Sequence, residues 1–119
     1  MPLEDEITSL TFRKDGQILV VRDFKNVRGL DVSTGKEKWK VLVSSGFSMD
    51  ISRDGSQIVT GGGGTTVQLW NTAAKSAAPE WNMEYESPVI AVAISPDGKF
   101  IAVGDFNGFV RIFDVAKRE

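Results

Sequence analysis

Asp23 and Asp105 come nearest to a catalytic pair in this chain. Two carboxylates that flank a scissile bond can divide general-acid and general-base work, as in glycoside hydrolysis. Each aspartate heads a short polar turn, Asp23-Phe24-Lys25-Asn26 and Asp105-Phe106-Asn107. The two turns belong to different repeats of the chain, however, and an aspartate in such a place ordinarily caps backbone amides. The commonest general base is missing, because the chain has no histidine. Ser44, Ser45 and Ser87 therefore lack a partner that would activate them as nucleophiles. Asp31 and Asp114 read as strand ends. Zero cysteines removes disulfides, thiol nucleophiles and thiolate-ligated metals together. These residues predict a chain that is not an enzyme and holds neither metal nor cofactor.

Two further segments have the composition of binding sites. Gly61-Gly62-Gly63-Gly64 followed by Thr65-Thr66 has the glycine content of a phosphate loop. Such loops aim successive amides at an anion and lead into a helix N-terminus. Here the next run, Val67 to Trp70, has strand character and the Lys-Ser/Thr pair is absent, so a hairpin turn is expected. The surroundings of Asp54 and Asp97 lack the alternating acidic residues of a calcium loop. Lys36, Lys38 and Lys40, with Arg22, Lys25 and Arg28 in the preceding hairpin, offer positive charge to an anionic partner. Lysine on an outer strand also serves solubility and discourages edge pairing. With 14 basic against 16 acidic residues and a net charge of −2, the chain lacks the basic excess of a nucleic-acid footprint.

The elements that must position these residues are set by three Asp-Gly pairs, Asp15-Gly16, Asp54-Gly55 and Asp97-Gly98, spaced 39 and 43 residues apart. Each lies between β-rich runs and is followed by a Gly/Asn/Asp-rich turn and a third run, which is the pattern of a repeated antiparallel meander. Two copies continue into a fourth run. In it Trp39, Val41 and Val43, and likewise Trp81, Met83 and Tyr85, fall on one face by period-two alternation. Eleven strands are counted where three whole units need twelve. The best helical candidate, Asn71 to Ala78, is short and ends at Pro79. No apolar run approaches the roughly 18 residues of a membrane-spanning helix. Met1 to Glu6 is acidic where a signal peptide is basic and then apolar. A soluble, untargeted chain working in the cytoplasm is expected, with no membrane partner.

Ser95-Pro96-Asp97-Gly98-Lys99-Phe100-Ile101-Ala102-Val103-Gly104, then Gly108 and Val110-Arg111-Ile112-Phe113-Asp114, resembles the WD40 repeat of β-propellers. Ser52-Arg53-Asp54-Gly55, Gly61-Gly62 and Val67-Gln68-Leu69-Trp70-Asn71 match in the second copy, and Leu30-Asp31 with Ser33-Thr34-Gly35-Lys36 in the first. The resemblance implies an all-β chain of three four-stranded meander blades, at about 6–43, 46–85 and 89–114, the last without its outer strand. It also implies a buried brace of His, Ser or Thr, Asp and Trp within each blade. Without histidine, with Gly64 and Asn107 six residues before Trp70 and Phe113, and with a first copy one residue shorter that offers Asp23 or Phe24 there, that brace is expected to be absent. Blade stability is then expected to rest on apolar packing between sheets, at about 25 cal/mol per Å².

A blade buries its two faces against its neighbours, so three blades leave two faces uncovered. The resemblance therefore implies a longer parent chain or self-association into a ring of two or three copies, with an isolated three-blade monomer as the remaining alternative. Family usage implies a partner-binding rim built from the turns between second and third strands and from the connections between blades. On this chain it comprises Asp23, Phe24, Lys25 and Asn26; Gly61 to Gly64; Asp105, Phe106 and Asn107; and Ser44, Ser45, Gly46, Glu86 and Ser87. The expected function is a non-catalytic protein-interaction scaffold with an unidentified protein partner. Two alternatives stay open: a structural or engineered piece whose only activity is ring formation, and a fragment of a quinone-dependent dehydrogenase propeller, which Asp31 to Trp39 also resembles.

Overall fold

The structure, a computed structural model, describes residues 6–43, 46–62, 64–72 and 79–119. The acidic leader through Asp5, Ser44, Ser45, Gly63 and most of the helical candidate at 71–78 lie outside the described residues. All regular elements among the described residues are strands, in three sheets. The first sheet has the order β1 (Ile7–Phe12), β2 (Ile18–Asp23), β3 (Asn26–Asp31), β4 (Glu37–Leu42). The second follows as β5 (Ser48–Ile51), β6 (Gln57–Gly61), β7 (Thr66–Asn71), β8 (Trp81–Glu84). In the third, β9 (Val89–Ile94), β10 (Phe100–Asp105) and β11 (Val110–Asp114) form a three-stranded sheet with β11 at its open edge. Every pairing is antiparallel between sequential strands.

The Asp-Gly repeat has one structural cause in all three sheets. Gly16, Gly55 and Gly98 adopt φ of 74°, 76° and 75°, in the left-handed region that side chains disfavour. The preceding aspartate then accepts the amide two residues on: Gln17 to Asp15 at 3.0 Å, Ser56 to Asp54 at 2.9 Å and Lys99 to Asp97 at 3.0 Å. Each turn thus fixes the register of the first strand against the second.

Cross-strand register assigns every side chain to a face, and two cores result. Between the first and second sheets lie Ile18, Val20, Val27 and Val43 from one side and Ile58 and Trp70 from the other, with Trp39 and Val41 packed against them. The Trp39 indole lies over Gly29, where an added Cβ would sit 2.3 Å from the ring. Between the second and third sheets lie Val59, Val67, Leu69 and Tyr85 facing Val92, Ile94, Ile101 and Val103. Phe113 closes that core with edge-on contacts to Trp81 and Tyr85 at 6.2 and 6.5 Å between centroids. The dry faces read from Trp39-Val41-Val43 and Trp81-Met83-Tyr85 are the faces that meet the next sheet.

Candidate interaction rim

Asp23 ends β2 with its carboxylate turned into the molecule, only 1% exposed. Its Oδ1 accepts the Lys25 and Asn26 amides at 2.8 and 2.7 Å, and Oδ2 accepts Arg28 Nη1 at 3.2 Å. Arg28 in turn reaches Glu37 on β4 at 3.2 Å. Asn26 is buried as well, while Phe24 and Lys25 between them point outward. In the third sheet Asp105 Oδ1 accepts the Asn107 and Phe109 amides at 2.9 and 3.0 Å, and Ser87 donates its hydroxyl to Oδ2 at 3.1 Å. Those donors, the Phe109 amide foremost, hold the Asp105 carboxyl below its usual value. Phe106 and Asn107 are exposed at the tip.

Each turn is tied to a connection between sheets. The Gly46 amide donates to Phe24 O at 3.3 Å, the Phe106 amide to Pro88 O at 2.9 Å, and the Val89 amide to Gly64 O at 2.8 Å. Close backbone approach is required here, since a Cβ on Gly46 would lie 2.0 Å from the Gly62 carbonyl. The glycine run is followed by strand β7, and the Thr65 and Thr66 hydroxyls donate to the Glu84 carboxylate. A carboxylate beside the loop opposes an anion, so the hairpin reading holds for the described part of this run.

Two of the cations assigned to the charged hairpin are not available at the surface. Arg22 is fully buried, and Arg28 nearly so. Arg22 faces the second sheet and donates to Ser48 O at 2.9 Å, Gly46 O at 3.2 Å and Asp23 O at 3.3 Å. Burial lowers its pKa to about 10, against the raising effect of Asp23, and it stays protonated at neutral pH. The expectation of an exposed basic cluster is corrected accordingly: Lys25, Lys36, Lys38 and Lys40 remain outside, and the two arginines are structural. The signal was present in parity, since Arg22 follows Ile18 and Val20 at period two on a buried face.

Residues 25–71 and 82–114 match the model of the WD domain, G-beta repeat. The chain belongs to the WD40 repeat family. It is 28% identical over 120 residues to eukaryotic translation initiation factor 3 subunit I from Candida albicans, covering 94% of this chain and 34% of that protein. Similarity to Target of rapamycin complex subunit LST8 from Mus musculus is 20% over 117 residues, covering 94% and 36%. The β-propeller domain of Cps50 (Swd1) from Myceliophteria thermophila superimposes with a TM-score of 0.83 at 19% identity, over 96% of this chain and 37% of that one. The chain thus spans about a third of the length of these relatives.

The WD40 blades of this chain keep part of the brace that the sequence was expected to lack. Trp70 Nε1 donates to Thr60 Oγ1 at 3.0 Å, with both residues buried. Ile58 is the direct cross-strand partner of Trp70, which puts Thr60 on the diagonal and within reach of the indole. In the other two WD40 blades, Leu30 and Phe113 hold that place and have no side-chain donor. Ser87 and Asp105 supply a second polar link, between a connection and its turn.

Proposed function

We propose that this chain is a non-catalytic protein-interaction scaffold that acts through the rim carrying Asp23, Phe24, Lys25, Asn26, Asp105, Phe106 and Asn107. The observation that carries the reading is the division of labour inside the two turns. In each, Oδ1 of the aspartate accepts turn amides and Oδ2 accepts a side-chain donor, Arg28 or Ser87, and the following phenylalanine is presented outward, 40% exposed for Phe24 and 73% for Phe106. A carboxylate occupied in this way is a poor general base, whereas an aromatic ring on a pinned turn is a typical interface anchor. Asp23 and Asn26 act as supports for that surface; Phe24, Lys25, Phe106 and Asn107 are its contact residues. Two relatives are named as subunits, one of eukaryotic translation initiation factor 3 and one of the Target of rapamycin complex, which supports a role within a protein complex. The partner is a protein, not a nucleic acid or a membrane.

Affinity capture tests the rim. A reproducible set of proteins captured by wild type is lost with Phe24→Ala plus Phe106→Ala, while the melting temperature is unchanged. Equal capture by both would discard the two rings as anchors.

A specific observation favours a second reading of how the scaffold is completed. Leu10 and Phe12 on the outer face of the first blade are each 60% exposed, while Val21, Arg28 and Leu30 of the same face are buried, and Val110 and Ile112 on the outer face of the third are 71% and 68% exposed. By register, the positions of Leu10 and Phe12 are those of Met49 and Ile51, which pack against the first core, and those of Val110 and Ile112 are those of Val67 and Leu69 in the second. Faces of this kind take further blades, from the rest of a longer chain or from other copies.

A further inference from the structure

We propose that Asn107, at the tip of the third blade's turn, is a site of spontaneous deamidation, and that its conversion to a carboxylate remakes the turn that presents Phe106. The conversion needs nothing from the rim reading; its effect on binding rests on that reading. Solvent base takes the proton of the Gly108 amide, the nitrogen bonds to Cγ of Asn107, and the Cγ–Nδ2 bond breaks as ammonia leaves. Water then opens the cyclic imide. Addition at Cγ cuts its new bond to nitrogen and gives aspartate. Addition at the main-chain carbonyl carbon cuts the original peptide bond and gives isoaspartate, with the chain routed through Cβ and Cγ. No oxidant or reductant takes part. A following glycine favours the ring, because no Cβ obstructs the attack and the backbone turns freely.

Of the asparagines Asn26, Asn71, Asn82 and Asn107, the last alone combines the features this chemistry needs. Val27, Thr72 and Met83 follow the other three. Asn26 is buried, and Asn71 and Asn82 are paired within the second sheet, opposite Gln57 and Gln68. Asn107 is exposed, and its side-chain amide has no hydrogen-bond partner among the described residues. Gly108 has φ of 86°, and a Cβ built there meets nothing within 4 Å. The exposure belongs to the tip and does not depend on what lies beside the third blade. Lys25 follows the Asp-Phe pair of the first blade as Asn107 follows that of the third, and it is exposed with the second sheet next to it.

The three Asp-Gly turns carry the same glycine and are built to resist the same ring. The Gly16, Gly55 and Gly98 amides donate to Arg13 O, Ser52 O and Ser95 O at 2.8, 3.0 and 2.9 Å, whereas the Gly108 amide reaches Asp105 O at 3.2 Å, the longest of the four. Hydrogen bonds, chiefly from Arg13, the Ser56 hydroxyl and the Ser95 hydroxyl, keep Asp15, Asp54 and Asp97 ionised, and an ionised carboxylate lacks a leaving group. The Asn107 amide has one.

The product does not fit the turn. Asp105 Oδ1 accepts the Asn107 and Phe109 amides together, at 2.9 and 3.0 Å. Isoaspartate lengthens the main chain between those two amides, and either product sets a second carboxylate close to Asp105. The Phe109 amide, beyond the altered link, is the donor that Asp105 loses.

Peptide mapping by mass spectrometry reads the outcome on the folded chain, held for days at body temperature in heavy-oxygen water at neutral and mildly alkaline pH. Asn107 is expected to convert to isoaspartate and aspartate, gaining one heavy oxygen each time, faster at the higher pH. Asn26, Asn71 and Asn82 stay intact, and no isoaspartate forms at Asp15, Asp54 or Asp97. In the converted chain the Phe109 amide is expected to exchange with solvent roughly tenfold faster, as the loss of one turn hydrogen bond requires. Asn107→Gln, whose longer side chain closes the ring far more slowly, loses the conversion and keeps the wild-type exchange. An Asn107 that stays intact while the chain unfolded in guanidinium converts would overturn the proposal. So would equal conversion at the other asparagines, or an unchanged Phe109 exchange rate in the converted chain. Capture by the converted chain tests the rim alone: unchanged capture would count against Phe106 as an anchor and leave the deamidation standing.

Discussion

The turns at Asp23 and Asp105 begin with the same Asp-Phe pair, join the same two strands of their blades, and reach different physical states. Asp23 is buried with Arg28, whereas Asp105 is half-buried and bonds to Ser87 and its own turn. Arg28 and Arg111 are equivalent by register, paired with Val21 and Val103. Their side chains are 5% and 55% exposed. The difference lies in the fourth strand. In the first blade β4 runs beside β3 and brings Glu37 to Arg28, so the arginine is held between two carboxylates. The third blade ends its sheet at β11, and Arg111 turns outward to Glu86, lying 5.5 Å over the Tyr85 ring. One sequence motif is thus a structural brace where a strand covers it and an open rim where none does.

The largest expected effect breaks the covered turn. Asp23→Ala orphans two turn amides and leaves Arg28 buried with only Glu37, which is half in solvent. Removing one member of a buried pair costs about 3–5 kcal/mol, and the remaining partner puts this site near about 3. Arg28→Met costs less, because the Asp23 carboxylate keeps its two amide donors. Urea unfolding of the two variants reads the order directly. Equal losses would mean that the ion pair, not the amide capping, dominates the turn.

A smaller effect is expected in the second blade. Trp70→Phe leaves the buried Thr60 hydroxyl without the indole, at about 1–3 kcal/mol. Adding Thr60→Val removes both sides of the bond and recovers much of that loss. A double variant as unstable as Trp70→Phe alone would show that indole packing, rather than the hydrogen bond, is what the site contributes.

The strands, their order and the dry faces of the outer strands were legible because each rests on local chemistry: Asp-Gly turns fix the register, and period-two alternation fixes the face. The buried charges were not. Arg22 and Arg28 sit among polar neighbours and read as surface, although the parity of Arg22 places it on the covered face with Val20 and Val27, while Arg28 lies on the opposite face with Leu10 and is buried beside Asp23 and Glu37. Only the neighbouring sheet supplies the carbonyls of Gly46 and Ser48 that make burial of Arg22 tolerable. The Trp70–Thr60 link was hidden because it runs diagonally between strands, a relation that appears only once register is known. At the rim, the sequence marked Asp23 and Asn26 as equals of Phe24, and burial separates them into supports and surface.

Acid titration sharpens the contrast between the turns. Asp54 is held below 3.8 chiefly by the Ser56 hydroxyl, Asp97 by that of Ser95, and Asp105 by the Phe109 amide. Between the lowered folded values and 3.8 the unfolded chain binds more protons than the folded one, so stability rises with pH there. The contribution is complete above 3.8 and is lost as pH falls through the folded values. Urea midpoints are expected to stay flat from neutral pH to about 5 and to drop below about 4. Asp105→Asn should reduce that drop without shifting the neutral midpoint as far as Asp23→Ala does.

The smallest expected effect is on the rings themselves. Phe24 and Phe106 stand outside both cores, and surface substitutions away from caps and cores stay within about 0.5 kcal/mol. Phe106→Ala should therefore leave the urea midpoint in place, because Asp105 holds the turn from below through amides that the substitution does not touch. Phe24→Ala should do the same, since its backbone carbonyl, not its ring, accepts the Gly46 amide. A midpoint shift comparable to that of Trp70→Phe would place the ring within the packing of the blade, and the covered and open turns would then differ less than their exposures suggest.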